Sequence, residues 1–232
     1  VKNLTDSENA TSGDVYIFNS TIRFNTSSNS DYTFVFDIFT TGDIRIIDSE
    51  INATHFRTST IELEGSELLI QNSTLWSGTR STAQGPSCSG SYSEDECIDR
   101  GDVLYLHSYL ILTSDNLTIE DSELNASSEL TSTYQGNCCY YYSYWHWRSA
   151  WTYVTIDVEY DMDIDDSLIL GWSRNAGPDG RSNTAVIDYD IEASNLEVLD
   201  SVLKGKRVDG DSDYRFDIEV LSVEFKNSTI LS

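Results

Sequence analysis

Apolar and polar residues along this chain fall into one recurring phrase, apolar-x-apolar-x-Asn/Asp-Ser-x-apolar. It reads VYIFNSTI at 15–22, IRIIDSEI at 44–51, LLIQNSTL at 68–75 and LTIEDSEL at 117–124. It returns as MDIDDSLI at 162–169, LEVLDSVL at 196–203 and VEFKNSTI at 223–230. On either side of the Asn/Asp-Ser pair the apolar residues alternate with polar ones, the two-residue period of a strand. Further alternating runs, among them YTFVFDIF, VLYLHSYLIL, YVTIDVEY and TAVIDYDIE, lie between the phrases. Each unit is therefore expected to hold two or three short strands joined by tight bends. One unit cannot bury its apolar face alone, whereas stacked units share a continuous interior.

The bend has a physical reading. Asn and Asp tolerate the left-handed conformation that a one-residue corner needs, and they replace each other freely at 19, 48, 72, 121, 166, 200 and 227. The next residue is Ser in all seven units, at 20, 49, 73, 122, 167, 201 and 228. With the corner resetting the alternation, Ser20 and Ile22 should face inward with Val15 and Ile17, while Asn or Asp points outward. Stacked at strand spacing, the serines are expected to form a hydroxyl ladder inside the molecule.

The repeat predicts an all-β protein: a single-stranded parallel β-helix (β-solenoid) of about seven rungs, forming one domain over 1–232. The motif resembles the repeat of the parallel β-helix family of exported carbohydrate-related and surface proteins. That family includes sugar-cleaving enzymes, adhesins and inert structural proteins, so the resemblance implies a fold more than an activity. In its exported, acidic and sequon-rich character the chain looks most like archaeal surface-layer or sheath proteins.

Two long spacings between the serines mark insertions at 77–102 and 128–153. The first carries Cys88 and Cys97, the second Cys138 and Cys139. Four cysteines in an exported chain suggest disulfides, with three possible connectivities. Adjacent cysteines have poor geometry for a bond to each other. The favoured arrangement staples the two loops together. The alternative closes Cys88–Cys97 within its own loop and links the adjacent pair to neighbouring chains; a zinc site is the remaining option. The second insertion also holds Tyr140, Tyr141, Tyr142, Tyr144, Trp145, Trp147, Trp151 and Tyr153. So many aromatics suit a subunit interface, a small satellite core, or a platform for sugar rings. His146, within this cluster, reads as a packed ring rather than a base.

Charge narrows the function. The net charge is −25, from 39 acidic and 14 basic residues, which repels phosphate and argues against nucleic acid or an anionic membrane as partner. No apolar stretch is long enough for membrane insertion as a helix. Nine of fourteen asparagines lie in Asn-x-Ser/Thr sequons: Asn3, Asn9, Asn19, Asn25, Asn52, Asn72, Asn116, Asn125 and Asn227. This density points to an extracellular or cell-surface protein carrying covalent N-glycans. Val1 in place of an initiating Met fits removal of an export signal. Outward acids on TIDVEYDMDIDDS and VIDYDIE form a candidate calcium site at Asp161, Asp163, Asp188 and Asp190, against the plainer reading of a solvated halophilic face. No other cofactor is expected.

The three histidines (His55, His107, His146) form no Ser-His-Asp order, metal triad or phosphate loop. Sugar-cleaving β-helices resembling this chain use Asp pairs, and Asp161 with Asp188 is conceivable, but alternating acids are too common here to single out a pair; no enzyme activity is expected. Repeat phrases run close to both ends, with no capping helix in the sequence, and open strand edges invite stacking. The expectation is a secreted, N-glycosylated structural subunit that self-assembles into a homopolymeric filament, sheath or surface layer. The alternative is a carbohydrate-binding adhesin or surface β-helix module.

Overall fold

The computed structural model describes residues 13–25, 33–55, 57–81, 104–131, 148–176, 183–208 and 214–231. Within them every repeat unit does the same thing: it lays a strand in one parallel sheet, turns at its Asn/Asp-Ser pair, and lays the next strand in a second. The first unit contributes β1 (Val15–Phe18) and β2 (Thr21–Asn25). The second contributes β3 (Thr33–Phe39), β4 (Ile44–Ile47) and β5 (Glu50–His55). Then follow β6 (Thr58–Gln71) with β7 (Thr74–Ser81), β8 (Leu104–Glu120) with β9 (Glu123–Thr131), and β10 (Arg148–Asp165) with β11 (Leu168–Ala176). The last are β12 (Asn183–Leu199) with β13 (Val202–Val208), and β14 (Tyr214–Lys226) with β15 (Thr229–Leu231). The first sheet runs β1-β4-β6-β8-β10-β12-β14, with β3 on the early part of β6; the second runs β2-β5-β7-β9-β11-β13-β15. The chain is all-β, and its phrases align in register, Ile44 with Leu68 and Leu117 with Met162.

The first-sheet strands are longer than the alternation suggested. Where two short strands were expected, β10 is a continuous strand of 18 residues. The separation is a bulge: the register shifts after Val158 against both β8 and β12. In β8 the buried positions change from Leu110 and Leu112 to Leu117 and Ile119 across the same bend. The extra residue belongs to β10 and bends it without ending it. β6 and β8, and β12 and β14, pass the same bend with no shift between them, and each long strand covers two facets of the interior.

The seven corner residues are the only non-glycine residues with positive φ among those described, Asn19 at 45°, Asp48 at 51°, Asn72 at 46°, Asp121 at 48°, Asp166 at 43°, Asp200 at 46° and Asn227 at 51°. That is the left-handed region in which Asn and Asp are least penalised. The corner serines are inward, and Ser49, Ser73, Ser122, Ser167 and Ser201 are buried. The ladder they form differs from hydroxyl bonded to hydroxyl. Each serine N–H donates to the Oγ of the serine one layer on: Ser49 to Ser73 at 3.0 Å, Ser73 to Ser122 at 3.0 Å, Ser122 to Ser167 at 3.0 Å. Each Oγ spends its own proton on the carbonyl two residues back, as Ser122 does on Glu120 at 2.7 Å. The hydroxyl is thus the acceptor for an N–H that the tight corner would otherwise leave unpaired.

Between the sheets lies an apolar core of the repeat positions, including Ile44, Ile46, Ile51, Leu75, Ile119, Ile164 and Leu203. Tyr189 is fully buried among them, its hydroxyl donating to the Ile169 carbonyl at 2.8 Å. Gly171 makes room for it: a Cβ there would stand 3.2 Å from the Tyr189 ring. On the side away from the corners a second polar seam runs through the interior. Ser59 donates to Ala53 O at 2.6 Å, Ser108 to Ser77 O at 2.6 Å and Ser128 to Trp151 O at 2.6 Å. Thr152 donates to Trp172 O at 2.8 Å and Ser173 to Ala150 O at 2.8 Å. Each of these bonds joins a strand of one sheet to a strand of the other.

Candidate functional site

The second sheet turns its outward face to a groove of about 410 Å³. Register explains how it is built. One row across the strands reads Arg23, Asn52, Trp76, Asn125; the next reads Thr54, Gly78, Ser127, Trp172; a third reads Arg80, Glu129, Arg174. Small residues in the middle row form the floor. Trp76, 39% exposed, lays its indole along the strand over Gly78, where a Cβ would stand 2.9 Å from Nε1. Its Nε1 donates to Ser127 Oγ at 2.8 Å, which pins the ring. Arg80 and Arg174 both pair with Glu129, at 3.2 and 3.3 Å. Arg23 holds Glu50 through two bonds of 2.8 and 2.6 Å, which keeps the Glu50 carboxyl below its usual range. Aromatic surface beside fixed polar groups is the composition of a small-ligand site. The chain announced this site only weakly: Trp76 follows its corner by four residues and Trp172 by six, in outward phase.

The described sequons fall at corners, on the outward face of the second sheet, and at a strand end or bend. Asn19, Asn72 and Asn227 occupy left-handed corners, with Asn72 Nδ2 donating to Asp48 Oδ1 at 2.6 Å. Asn52 and Asn125 lie outward on the second sheet, one on each side of Trp76. Asn25 ends β2, and Asn116 lies at the bend of β8, its Oδ1 accepting from Asp161 N–H at 3.4 Å. Asn3 and Asn9 lie outside the described residues. So do Cys88, Cys97, Cys138 and Cys139, and the aromatics Tyr140, Tyr141, Tyr142, Tyr144, Trp145 and Trp147.

Trp151 and Tyr153, the described part of the aromatic insertion, lie on the first sheet. Trp151 stacks on His107 with centroids 6.1 Å apart, and Tyr153 on Tyr109 at 4.7 Å with planes 6° apart. They therefore satisfy one another along the stacking direction. Burial, with Tyr109 and Asp188 nearby, pushes the Tyr153 hydroxyl up to about 12. Burial lowers the proton affinity of His107, whose Nδ1 lies 3.1 Å from Tyr109 Oη.

The four acids expected to share calcium are not brought together. Asp188 lies opposite Tyr153 and Asp190 opposite Thr155, whereas Asp161 lies opposite Asn195 and Asp163 opposite Glu197, beyond the bulge. Asn195 Nδ2 donates to Asp161 Oδ1 at 2.7 Å. The same register separates Asp161 from Asp188 as a carboxylate pair. Like charges do stack elsewhere: Asp157, Glu192 and Glu219 form one row. At the corners Asp165, Asp166 and Asp200 bring carboxylate oxygens within 4.8 Å of one another. Desolvation there, with Asp165, Asp200 and Asp121 nearby, raises the Asp166 carboxyl. These corner acids were not singled out from sequence, because the corner Asp read as a backbone residue.

Comparison with protein-family models, curated proteins and solved structures finds no match to this chain.

Proposed function

We propose that the two sheets are walls of a parallel β-helix of about seven rungs, and that the chain is a secreted, N-glycosylated structural subunit. Copies add head to tail into an extracellular filament, sheath or surface layer. The closing seam, in which hydroxyls of each sheet bond carbonyls of the other, supports the β-helix. Sequon density and cysteine content support export.

The observation that carries assembly is the complementarity of the two outermost described layers. Inside the stack each corner N–H donates to the next layer's carbonyl, and each Ser N–H to the next Oγ, as Asp200 does to Lys226 O at 3.0 Å and Ser201 to Ser228 Oγ at 3.2 Å. Among the described residues Asn227 and Ser228 N–H have no such acceptor, while Phe18 O and Ser20 Oγ have no such donor. One layer presents what the other lacks, in the register the fold already uses. The apolar positions of the last layer are also open: Val223 is 48%, Phe225 40% and Ile230 42% exposed, where their inner equivalents are buried. A second copy placed there continues both sheets and covers this surface.

With a net charge of −25, copies repel at low ionic strength, so assembly should rise with salt. Electron microscopy and sedimentation of the purified chain across a salt series test the reading. Regular polymers that disappear in Ile230→Glu and in Ser20→Ala, each with an unchanged circular dichroism spectrum, are the expected result. Dispersed monomers at every salt concentration would overturn it.

A further inference from the structure

We propose that the groove on the second sheet is the seat of the protein's own glycan, with the first sugar on Asn52 packed against Trp76. The inference rests on the reading of the chain as an exported glycoprotein, and adds which sequon is structurally coupled and to what.

Two independent observations meet here. The first is the sequon Asn52-Ala53-Thr54, whose Asn52 and Thr54 both line the groove. Strand alternation places them on the same face, with Ala53 buried between them. Thr54 Oγ1 donates to Asn52 Oδ1 at 2.7 Å, so the amide oxygen is engaged and Nδ2 is the arm left for a substituent. The second is the shape of the site. Asn52 lies directly opposite Trp76 across one strand spacing. Gly78 and the bond to Ser127 Oγ hold the indole flat along the sheet.

A pyranose ring presents C–H groups on one face, which pack on the electron-rich face of an indole, and hydroxyls at its rim. Arg23 on one side and the Arg80–Glu129 pair on the other supply charged partners for that rim. The volume of about 410 Å³ lies at the small end of ligand sites. A tether at Asn52 fills it without the entropic cost of capturing a free ligand. Asn125 also flanks Trp76 but does not line the groove, as Asn52 and Thr54 do; the corner sequons Asn19 and Asn227 have no tryptophan beside them among the described residues.

The linkage forms on the unfolded chain, with a lipid-phosphate-linked oligosaccharide as co-reactant and a membrane transferase of the secretory route as catalyst. Asn52 Nδ2 bonds to the anomeric carbon of the sugar, the bond from that carbon to the phosphate oxygen breaks, the lipid phosphate departs, and one Nδ2 proton is lost.

The test uses the full chain made in a secretory host whose N-glycans begin with N-acetylglucosamine. Glycopeptide mass spectrometry reads each sequon. Thermal unfolding compares Trp76→Leu in the parent and in an Asn52→Gln background. Expected are a sugar on Asn52 and a loss on Trp76→Leu larger by about 4 °C in the parent than in the Asn52→Gln chain. Sugar on other sequons with Asn52 bare would overturn this inference alone. An equal Trp76→Leu loss in both backgrounds would do the same. No sugar on any sequon would overturn the glycoprotein reading as well.

Discussion

Two seams of buried hydroxyls run along the interior, and they are built differently. At the corners the residue is always Ser, and its Oγ accepts an N–H from the layer below while donating two residues back. On the far side the residue is Ser or Thr at varied positions, and hydroxyls such as those of Thr152 and Ser173 donate to a carbonyl across the gap. The difference follows from the backbone. A one-residue corner fixes the geometry identically in every layer, and its N–H has one direction in which to find an acceptor. A carbonyl carries two lone pairs and tolerates under-satisfaction better than an N–H does. The far seam also follows connections of unequal length, so no single position serves in every layer. Strictness therefore marks where a donor must be satisfied in every layer, whereas in the far seam that duty is occasional: Ser108 Oγ accepts the Ser127 N–H at 3.2 Å, while Thr152 and Ser173 serve carbonyls.

The sharpest way to break this contrast is to remove one corner hydroxyl. Ser122→Ala strands the buried Ser73 N–H, now bonded at 3.0 Å, while Glu120 O keeps the Asn72 N–H. The expected cost is about 2–3 kcal/mol of unfolding free energy, measured by urea denaturation. Ser20→Ala, whose Oγ accepts no N–H among the described residues, should cost far less. Equal losses at 20 and 122 would mean the hydroxyl's donor bond, present in both, matters rather than its acceptor role.

The second prediction separates backbone from side chain at the corner. Asp121 sits at φ 48°, so Asp121→Ala should cost about 1 kcal/mol from left-handed strain, and Asp121→Gly should be close to neutral. A Gly variant as unstable as Ala would assign the corner to side-chain bonding instead.

These two positions also show what the chain makes legible. The corner is one residue long in every layer, so period, left-handed Asn/Asp and inward Ser could all be read from the phrase IRIIDSEI and its copies. The far seam could not, because Ser59, Ser108 and Ser173 look like ordinary polar residues until registration reveals that they fall in the apolar phase. The groove was hidden for a related reason: Asn52, Trp76 and Ser127 come from three units and meet only across strands. The expected calcium ligands do not converge because alternation gives a face and not a register: Asp188 and Asp190 fall opposite Tyr153 and Thr155, eight residues before Asp161 and Asp163 on β10.

The far seam is the third place to test. Ser173→Ala removes one donation to the Ala150 carbonyl, at 2.8 Å, and strands no N–H. The expected loss is about 1 kcal/mol, clearly below that of Ser122→Ala in the same denaturation experiment. A loss matching Ser122→Ala would erase the distinction between the seams.

The smallest effect concerns the outward side of the same corners. Where Asn72 follows Asp48 in the stack, its Nδ2 donates to the Asp48 carboxylate; where Asp121, Asp166 and Asp200 follow one another, no donor among the described residues intervenes between the carboxylates. The Asp166 carboxyl is raised, so the native state binds its proton more tightly than the unfolded chain. That contribution is fully present below the ordinary Asp value of 3.8 and is lost as pH rises through the raised pKa. Glu62, Asp163 and Glu192 shift the same way, Glu62 and Asp163 chiefly by desolvation and Glu192 chiefly by the Asp190 charge. Asp166→Asn keeps a corner-tolerant residue, supplies a donor as Asn72 does, and deletes one charge. Its melting temperature should exceed the parent's at pH 7, and the gap should close in acid or in high salt. A gap that persists unchanged in acid would show that the asparagine acts through the backbone, and that the acidic corner costs the fold nothing.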